Sequence, residues 1–225
     1  MDLTTYLSFF ISPVILIIAF VFFHSKFNIK NWTNIRNATL FGIIGIVFLL
    51  LANYVTELIW HDKLNNLRRM AFFVFVIVAF SAELGKILPL RFKFYNQSGF
   101  KGPFESIRYS VLISLSYSVI AVILFAFDIV GTEKIKTPLL FLYTYPFANI
   151  FFGIVMGFFL GLGKIRKNFI IDEAVALFIT AFFHGVYYFC FISSDIRLFV
   201  VTTFGFIVIG ITLLAKALSL KSETV

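Results

Sequence analysis

Charged residues are scarce in this chain. Asp, Glu, Lys and Arg make up 13% of its 225 residues, whereas hydrophobic residues make up 60%. A typical soluble domain has about 25% charged and about 45–50% apolar residues. Several uncharged runs each approach the roughly 20 residues that cross a bilayer, and the segments between them are too short to hold a large soluble domain. The composition therefore excludes an ordinary soluble protein.

Cysteine is almost absent as well. Cys190 is the only one in the chain, which excludes an intrachain disulfide and any Cys-x-x-Cys redox or metal motif. It follows the aromatic residues Tyr187, Tyr188 and Phe189. A lone cysteine in such surroundings is predicted to be a small buried hydrophobic residue.

Seven apolar runs predict an all-α, polytopic transmembrane bundle that forms a single integral membrane domain over residues 1–225. The runs lie at 5–24, 38–60, 70–90, 108–130, 138–163, 169–193 and 197–217. The first is interpreted as a membrane helix and not as a signal peptide. Asp2 stands in place of a basic leading segment, and the run is longer than a signal peptide requires.

The loops between these runs carry most of the charge and predict the orientation. Of the 19 Lys and Arg residues, twelve fall on one predicted side and six on the other, with Lys86 inside a span. Because positively charged loops stay in the cytoplasm, we expect the N-terminus outside and the C-terminus inside, in a plasma or inner membrane. The net charge of +8 is explained by basic loops that set this topology and contact anionic lipid headgroups. No nucleic-acid partner is expected.

Small residues recur every fourth position in two of the runs. Such stripes lie on one face of a helix and let neighbouring backbones approach closely in a membrane. They predict tight packing and carry no information about chemistry. The stripes are Ser110, Ser114 and Ser118 in the fourth run, and Gly153, Gly157 and Gly161 in the fifth.

Four polar residues at membrane depth are the candidate functional residues, and we expect them to line a common polar cavity. Glu83 and Lys86 share one face of the third span, Asn149 precedes the glycine stripe, and His184 lies midway along the sixth span. An ionisable group in the bilayer costs at least about 2.5–3.5 kcal/mol, so each one requires a partner or a function. Glu83 and Lys86 are either a self-neutralising pair or a working carboxylate with its cation. His184 is either a packing residue or a ligand-facing one, and Gly185 after it leaves room for a ligand or another backbone.

The order of these residues resembles the PrsW family of intramembrane proteases, which is related to the Abi/CAAX-protease group. The family's Glu-Glu-x-x-Lys motif is matched by Glu83 and Lys86, with Ala82 in place of the first glutamate. Its helix with His-x-x-Phe-Gly-x-x-Met-Gly is matched in spacing from Asn149 to Gly157, with asparagine in place of histidine. Its last motif, His-Gly-x-x-Asp, keeps His184 and Gly185 but ends in Tyr188.

The helix between these motifs departs further from the family. Glu105 and Tyr109 match its acidic and aromatic opening, but Ala121 and Val122 stand where the family has Glu-Asn. The resemblance covers about half of the chain and implies a PrsW-like core at approximately 70–193. Packing residues match better than chemical ones, so it implies a protease fold with proteolysis reduced or lost.

The resemblance also implies roles for the four candidates. Glu83 would activate water, His184 and Asn149 would donate hydrogen bonds to the oxyanion, and Lys86 would tune Glu83. The substrate would be a single-span membrane protein. No cofactor is expected, because one histidine, one carboxylate and an asparagine make a poor zinc site. Two alternatives stay open: a non-catalytic relative that binds a membrane segment or lipid, and a small transporter, although no inverted repeat is visible.

Overall fold

The computed structural model describes residues 3–27, 32–59, 66–97, 99–130, 135, 137–193 and 195–222, except for the side chains of Lys26, Phe27, Phe169 and Ser222. In these ranges seven helices are long and apolar enough to cross a membrane. The predicted all-α bundle of seven spans is therefore confirmed. The helices are α1 (Leu3–Phe27), α2 (Trp32–Ile59), α3 (Leu67–Phe94), α4 (Pro103–Ala126), α5 (Pro138–Arg166), α6 (Phe169–Ser193) and α7 (Ile196–Ser222).

Most helices extend beyond the apolar runs that predicted them. α2 begins six residues before the run at 38–60, because the run marks only the part at membrane depth while the helix continues into polar residues. α4 begins at Pro103, five residues before its run, since proline lacks an N–H and suits the first position of a helix. It also ends four residues early, at Ala126. Asp128 has φ 57°, a left-handed conformation that stops the helix.

The third span is a composite helix. α-Helical segments at Leu67–Phe72 and Ser81–Pro89 alternate with π-helical segments at Phe73–Phe80 and Leu90–Phe94. The second π segment directly follows Pro89, which has no N–H to donate to the preceding turn. π-Helical turns are rare and often occur at functional sites. Here they flank the nine-residue segment that carries Glu83 and Lys86.

The glycine stripe of α5 packs against α4. A Cβ atom added to Gly157 would lie 2.5 Å from the Cα of Ile107, and one added to Gly161 would lie 2.4 Å from the Cα of Pro103. Real Cβ atoms do not approach a backbone this closely, so only glycine permits this spacing between the two helices. The predicted role of the stripe in tight packing is confirmed. These two helices are the most buried spans of the bundle.

A second glycine contact joins α2 to α3. Gly45 and Gly85 face each other, and a Cβ on Gly85 would lie only 2.2 Å from the carbonyl oxygen of Gly45. Gly85 lies between Glu83 and Lys86, so this contact holds the candidate segment of α3 against α2. The outermost helices, α1 and α7, present most of their apolar surface outward, as expected of helices that face lipid.

The orientation in the membrane stays a prediction. Basic residues cluster at the end of the bundle where α3 and α5 finish, including the Arg91–Glu173 ion pair at 2.9 Å and Lys164, which donates to the carbonyl of Tyr95 at 2.8 Å. Burial raises the pKa of the Tyr95 hydroxyl at this end. Four cations of the topology count, Lys30, Lys63, Lys134 and Lys136, lie outside the described residues.

Candidate functional site

Glu83 lies at the centre of a buried polar cluster formed by three helices. Lys86 Nζ, one turn along α3, is 2.5 Å from Glu83 Oε1. His184 Nδ1, from α6, is 2.7 Å from the same oxygen. The two donors therefore converge on one oxygen of the carboxylate. This pairing lowers the cost of holding a carboxylate among apolar helices.

Asn149 joins the cluster from α5. Its side-chain oxygen accepts a hydrogen bond from Lys86 Nζ at 3.0 Å, and its amide nitrogen donates to the carbonyl of Tyr145 at 3.0 Å. The amide is thereby held with its oxygen toward the lysine. This geometry gives Asn149 a positioning role toward Lys86, whereas the sequence led us to expect a donor for the substrate.

Tyr145 completes the hydrogen bonds of the imidazole. Its hydroxyl lies 3.4 Å from His184 Nε2. With Glu83 ionised, Nδ1–H of His184 donates to the carboxylate, and Nε2 of a neutral ring is then an acceptor that faces the Tyr145 hydroxyl. One tautomer therefore fits both neighbours, and the ring orientation is defined from both sides.

Aromatic rings cover the cluster. The Phe152 ring stacks on His184 with centroids 4.7 Å apart. Lys86 Nζ lies 5.0 Å from the ring centroid of Tyr117 on α4 and 5.5 Å from that of Phe152. Such cation–π contacts strengthen in surroundings without water. All four candidate residues have 0% of their surface exposed. The polar cavity expected from the sequence is, in this structure, a closely packed cluster.

Two buried polar atoms of this cluster take no part in the hydrogen bonds described above. Within the described part of the chain, neither Glu83 Oε2 nor the Tyr117 hydroxyl has a hydrogen-bond partner. Buried polar atoms are nearly always paired in folded proteins, and an exception points to a bound molecule or a chemical role. The free oxygen of Glu83 is the one that Lys86 and His184 do not contact.

The space beside Gly185 is filled by the third span. A Cβ atom on Gly185 would lie 2.2 Å from an atom of the Phe75 ring. The interpretation that this glycine leaves room for a ligand or another backbone was therefore wrong, because a side chain occupies that room. Gly185 instead lets α6 approach the π-helical segment of α3, which brings His184 within reach of Glu83.

Sequence reasoning missed the tyrosines of this site. Tyr145 precedes Asn149 by four residues, a spacing that puts both on one face of a helix and that could have identified it. Tyr117 carried no comparable signal, because tyrosines are common in this aromatic chain and only the packing of α4 against α3 brings it to Lys86. The four residues expected from the sequence are all brought together.

The metal-binding capacity of the cluster is limited to two side chains. Glu83 and His184 are its only carboxylate and imidazole, and in the described ranges no three His, Cys, Asp or Glu side chains lie close enough to hold a metal ion. A catalytic zinc site takes three protein ligands. The residues present do not fit that requirement.

An apolar groove of about 500 Å³ lies beside the cluster, between α5 and α7. Its wall includes Phe151 and Phe206, whose rings stack with centroids 4.2 Å apart. Tyr187 and Thr144, whose hydroxyl oxygens are 2.7 Å apart, also line the groove. Tyr187 is three residues from His184 on α6, so aromatic side chains separate the groove from the polar cluster by about one helical turn.

Comparison of this chain with protein-family models, with curated proteins and with solved structures finds no match. The resemblance to the PrsW family therefore stays a prediction from the motifs. Function has to be inferred from the geometry of the cluster.

Proposed function

We propose that this chain is a PrsW-like intramembrane endopeptidase of reduced activity, in which Glu83 activates water for hydrolysis of a peptide bond in a membrane segment. The observation that carries the proposal is the arrangement around the carboxylate. Lys86 and His184 both contact Oε1, while Oε2 is buried and lacks a partner among the described residues. One oxygen is thus held in place and the other is available to take a proton.

The reaction would proceed by general-base catalysis. Glu83 Oε2 takes a proton from water as the water oxygen bonds to the carbonyl carbon, and the C=O π electrons move to the carbonyl oxygen. When the tetrahedral intermediate collapses, the C–N bond breaks and the proton passes from Glu83 to the leaving nitrogen. Lys86 keeps a positive charge beside the negative charge that develops, and the apolar surroundings strengthen this effect.

The missing motif residues support a reduced rate. This chain has Ala82 in place of the family's first glutamate and Ala121–Val122 in place of its Glu-Asn pair. Asn149 stands in place of the histidine and Tyr188 in place of the aspartate. Asn149 positions Lys86 through a hydrogen bond, but an amide does not transfer protons as a histidine does. Glu83 would therefore act with fewer supporting groups.

The test is hydrolysis in proteoliposomes that contain the pure protein and a panel of labelled single-span peptides with about 20 apolar residues each. Mass spectrometry of the peptides identifies any products. We expect slow cleavage by the wild type and none by Glu83→Gln, which keeps the size of the side chain but removes the base. Glu57→Gln is the matched control, because that carboxylate lies on α2 and bonds to Asn53. Equal cleavage by Glu83→Gln and wild type would refute the assignment.

A second candidate is a non-catalytic relative that binds a membrane segment without cutting it. The observation in its favour is the complete burial of the cluster, in which Glu83 and Lys86 neutralise each other and Lys86 lies over the rings of Tyr117 and Phe152. In the same proteoliposomes, energy transfer between labelled protein and peptide would report binding. Binding of intact peptides with equal affinity by wild type and Glu83→Gln, and no products from either, would favour this candidate.

A further inference from the structure

Tyr117 brings a hydroxyl group to the cluster from α4, the helix that has Ala121 and Val122 in place of the Glu-Asn pair of the PrsW motif. Its side chain is completely buried. Lys86 Nζ lies over its ring, 5.0 Å from the centroid, and the same nitrogen is 2.5 Å from Glu83 Oε1. Tyr117 and the Glu83 carboxylate therefore both pack around the Lys86 ammonium group.

The unpaired atoms of Tyr117 and Glu83 are chemically complementary. A tyrosine O–H is a donor, and an ionised carboxylate oxygen is an acceptor. Leaving either group buried without a partner costs free energy that replacement by an apolar side chain would avoid. A phenylalanine would fill nearly the same volume as Tyr117, so packing alone gives no reason for a hydroxyl here.

We infer that Glu83 Oε2 and the Tyr117 hydroxyl together form a binding position for one small polar group. In the resting protein that group is a water molecule, which donates to Glu83 Oε2 and accepts from Tyr117. In the hydrolytic reaction this water stays on Glu83 Oε2 and gives up a proton to it as it attacks, while the Tyr117 hydroxyl donates to the oxygen of the substrate carbonyl instead of to the water. This second role rests on the proposed function, whereas the water-binding role does not.

The assignment gives Tyr117 the task of an oxyanion donor. In the cluster Asn149 is turned toward Lys86, and His184 Nε2 faces the hydroxyl of Tyr145. Neither of the donors expected from the sequence is thus directed at a substrate. A hydrogen bond from Tyr117 strengthens as negative charge develops on the carbonyl oxygen, and such donors act mainly on kcat.

A double-mutant cycle tests the water-binding position without any need for activity. Tyr117→Phe is made in the wild-type and in the Glu83→Gln background, and apparent Tm is measured in detergent. If the two groups share a water, Tyr117→Phe lowers Tm by about 2–4 °C in the wild-type background and by clearly less beside Glu83→Gln. If the hydroxyl is simply unpaired, its removal leaves Tm unchanged or raises it equally in both backgrounds, and the inference is overturned.

Tyr187→Phe is the matched control for this cycle. Tyr187 is also buried, but its hydroxyl bonds to Thr144 Oγ1 and to the carbonyl of Phe141. Its replacement is expected to lower Tm by the same amount with and without Glu83→Gln. Unequal losses of Tm for this control would show that the Glu83 substitution disturbs the whole bundle. The coupling at Tyr117 would then be part of that general disturbance, and the result would count against a specific shared site.

Cleavage kinetics separate the inference from the proposed function. If wild type cleaves, we expect Tyr117→Phe to lower kcat about 100-fold with little change in KM. Unchanged kcat, with wild type active, would overturn the role of Tyr117 in the reaction and leave Glu83 as the base. Coupling in Tm without any wild-type cleavage would refute the endopeptidase and support the water-binding position.

Discussion

The Glu83 carboxylate and the His184 imidazole lie 2.7 Å apart although the two residues are 101 positions apart in the chain. Both side chains are completely buried, and they come from α3 and α6. Two polar groups placed independently on membrane helices would face water or separate partners. Their direct hydrogen bond shows that the two helices are oriented around a common polar centre, whatever chemistry that centre performs.

The ion pair within this centre predicts a large effect of removing its cation. Lys86→Met leaves the Glu83 carboxylate buried with only neutral partners, and breaking a buried pair in this way costs about 3–5 kcal/mol. We expect that loss in the free energy of unfolding, measured by denaturant titration in detergent micelles. Adding Glu83→Gln to Lys86→Met removes the unpaired charge and is expected to restore part of the stability. A double variant less stable than Lys86→Met would contradict this account.

The contact between α2 and α3 predicts that Gly85 tolerates no side chain. In Gly85→Ala the new Cβ meets the carbonyl oxygen of Gly45, a backbone atom that cannot rotate away. We expect a destabilisation of about 1–3 kcal/mol, as is typical of overpacking, together with a lower apparent Tm. Gly205→Ala is the matched control, since a Cβ there meets nothing within 4 Å. Equal Tm values for the two variants would show that the helices separate easily.

Aromatic side chains lie between the groove and the polar cluster, and we predict that shortening one of them makes the reaction faster. Phe206 stacks on Phe151 and also packs against Phe183. If substrate reaches Glu83 past these side chains, Phe206→Ala will raise kcat/KM for single-span peptides by several fold in the proteoliposome assay. Phe204→Ala, on the outward face of the same helix, should leave the rate unchanged. A rate increase in the control alone would place the path of entry elsewhere.

The charge distribution of the loops predicts the orientation of the bundle. A reporter that is active only in the cytoplasm should work when fused after α7, and a reporter that requires export should work when fused at the N-terminus. Reversal of Arg166 and Lys167 to glutamate should weaken this preference, since both belong to the basic side. Cytoplasmic activity of the N-terminal fusion would show that the bundle is inserted the other way round.

The identity of the four candidate residues could be predicted from the sequence because the membrane makes polar residues conspicuous. A glutamate, a lysine, an asparagine and a histidine within apolar runs each require a partner, and few other partners were present at that depth. Tyr117 and Tyr145 were not recognised, since tyrosine is an ordinary residue in a membrane helix that is rich in aromatic side chains. The π-helical turns of α3 were equally hidden, because an apolar run has the same composition whether each turn holds 3.6 residues or more.

The sequence by itself determined the number of spans and the close approach of α4 to α5. Hydrocarbon admits only long apolar helices, and glycines at every fourth position leave a groove along one helix face. Only the tertiary structure decided that Lys86 and His184 share one oxygen of Glu83, that Asn149 turns toward Lys86, and that Phe75 fills the space beside Gly185. Those outcomes depend on how each helix is rotated about its axis, and rotation is set by the packing of all neighbours together.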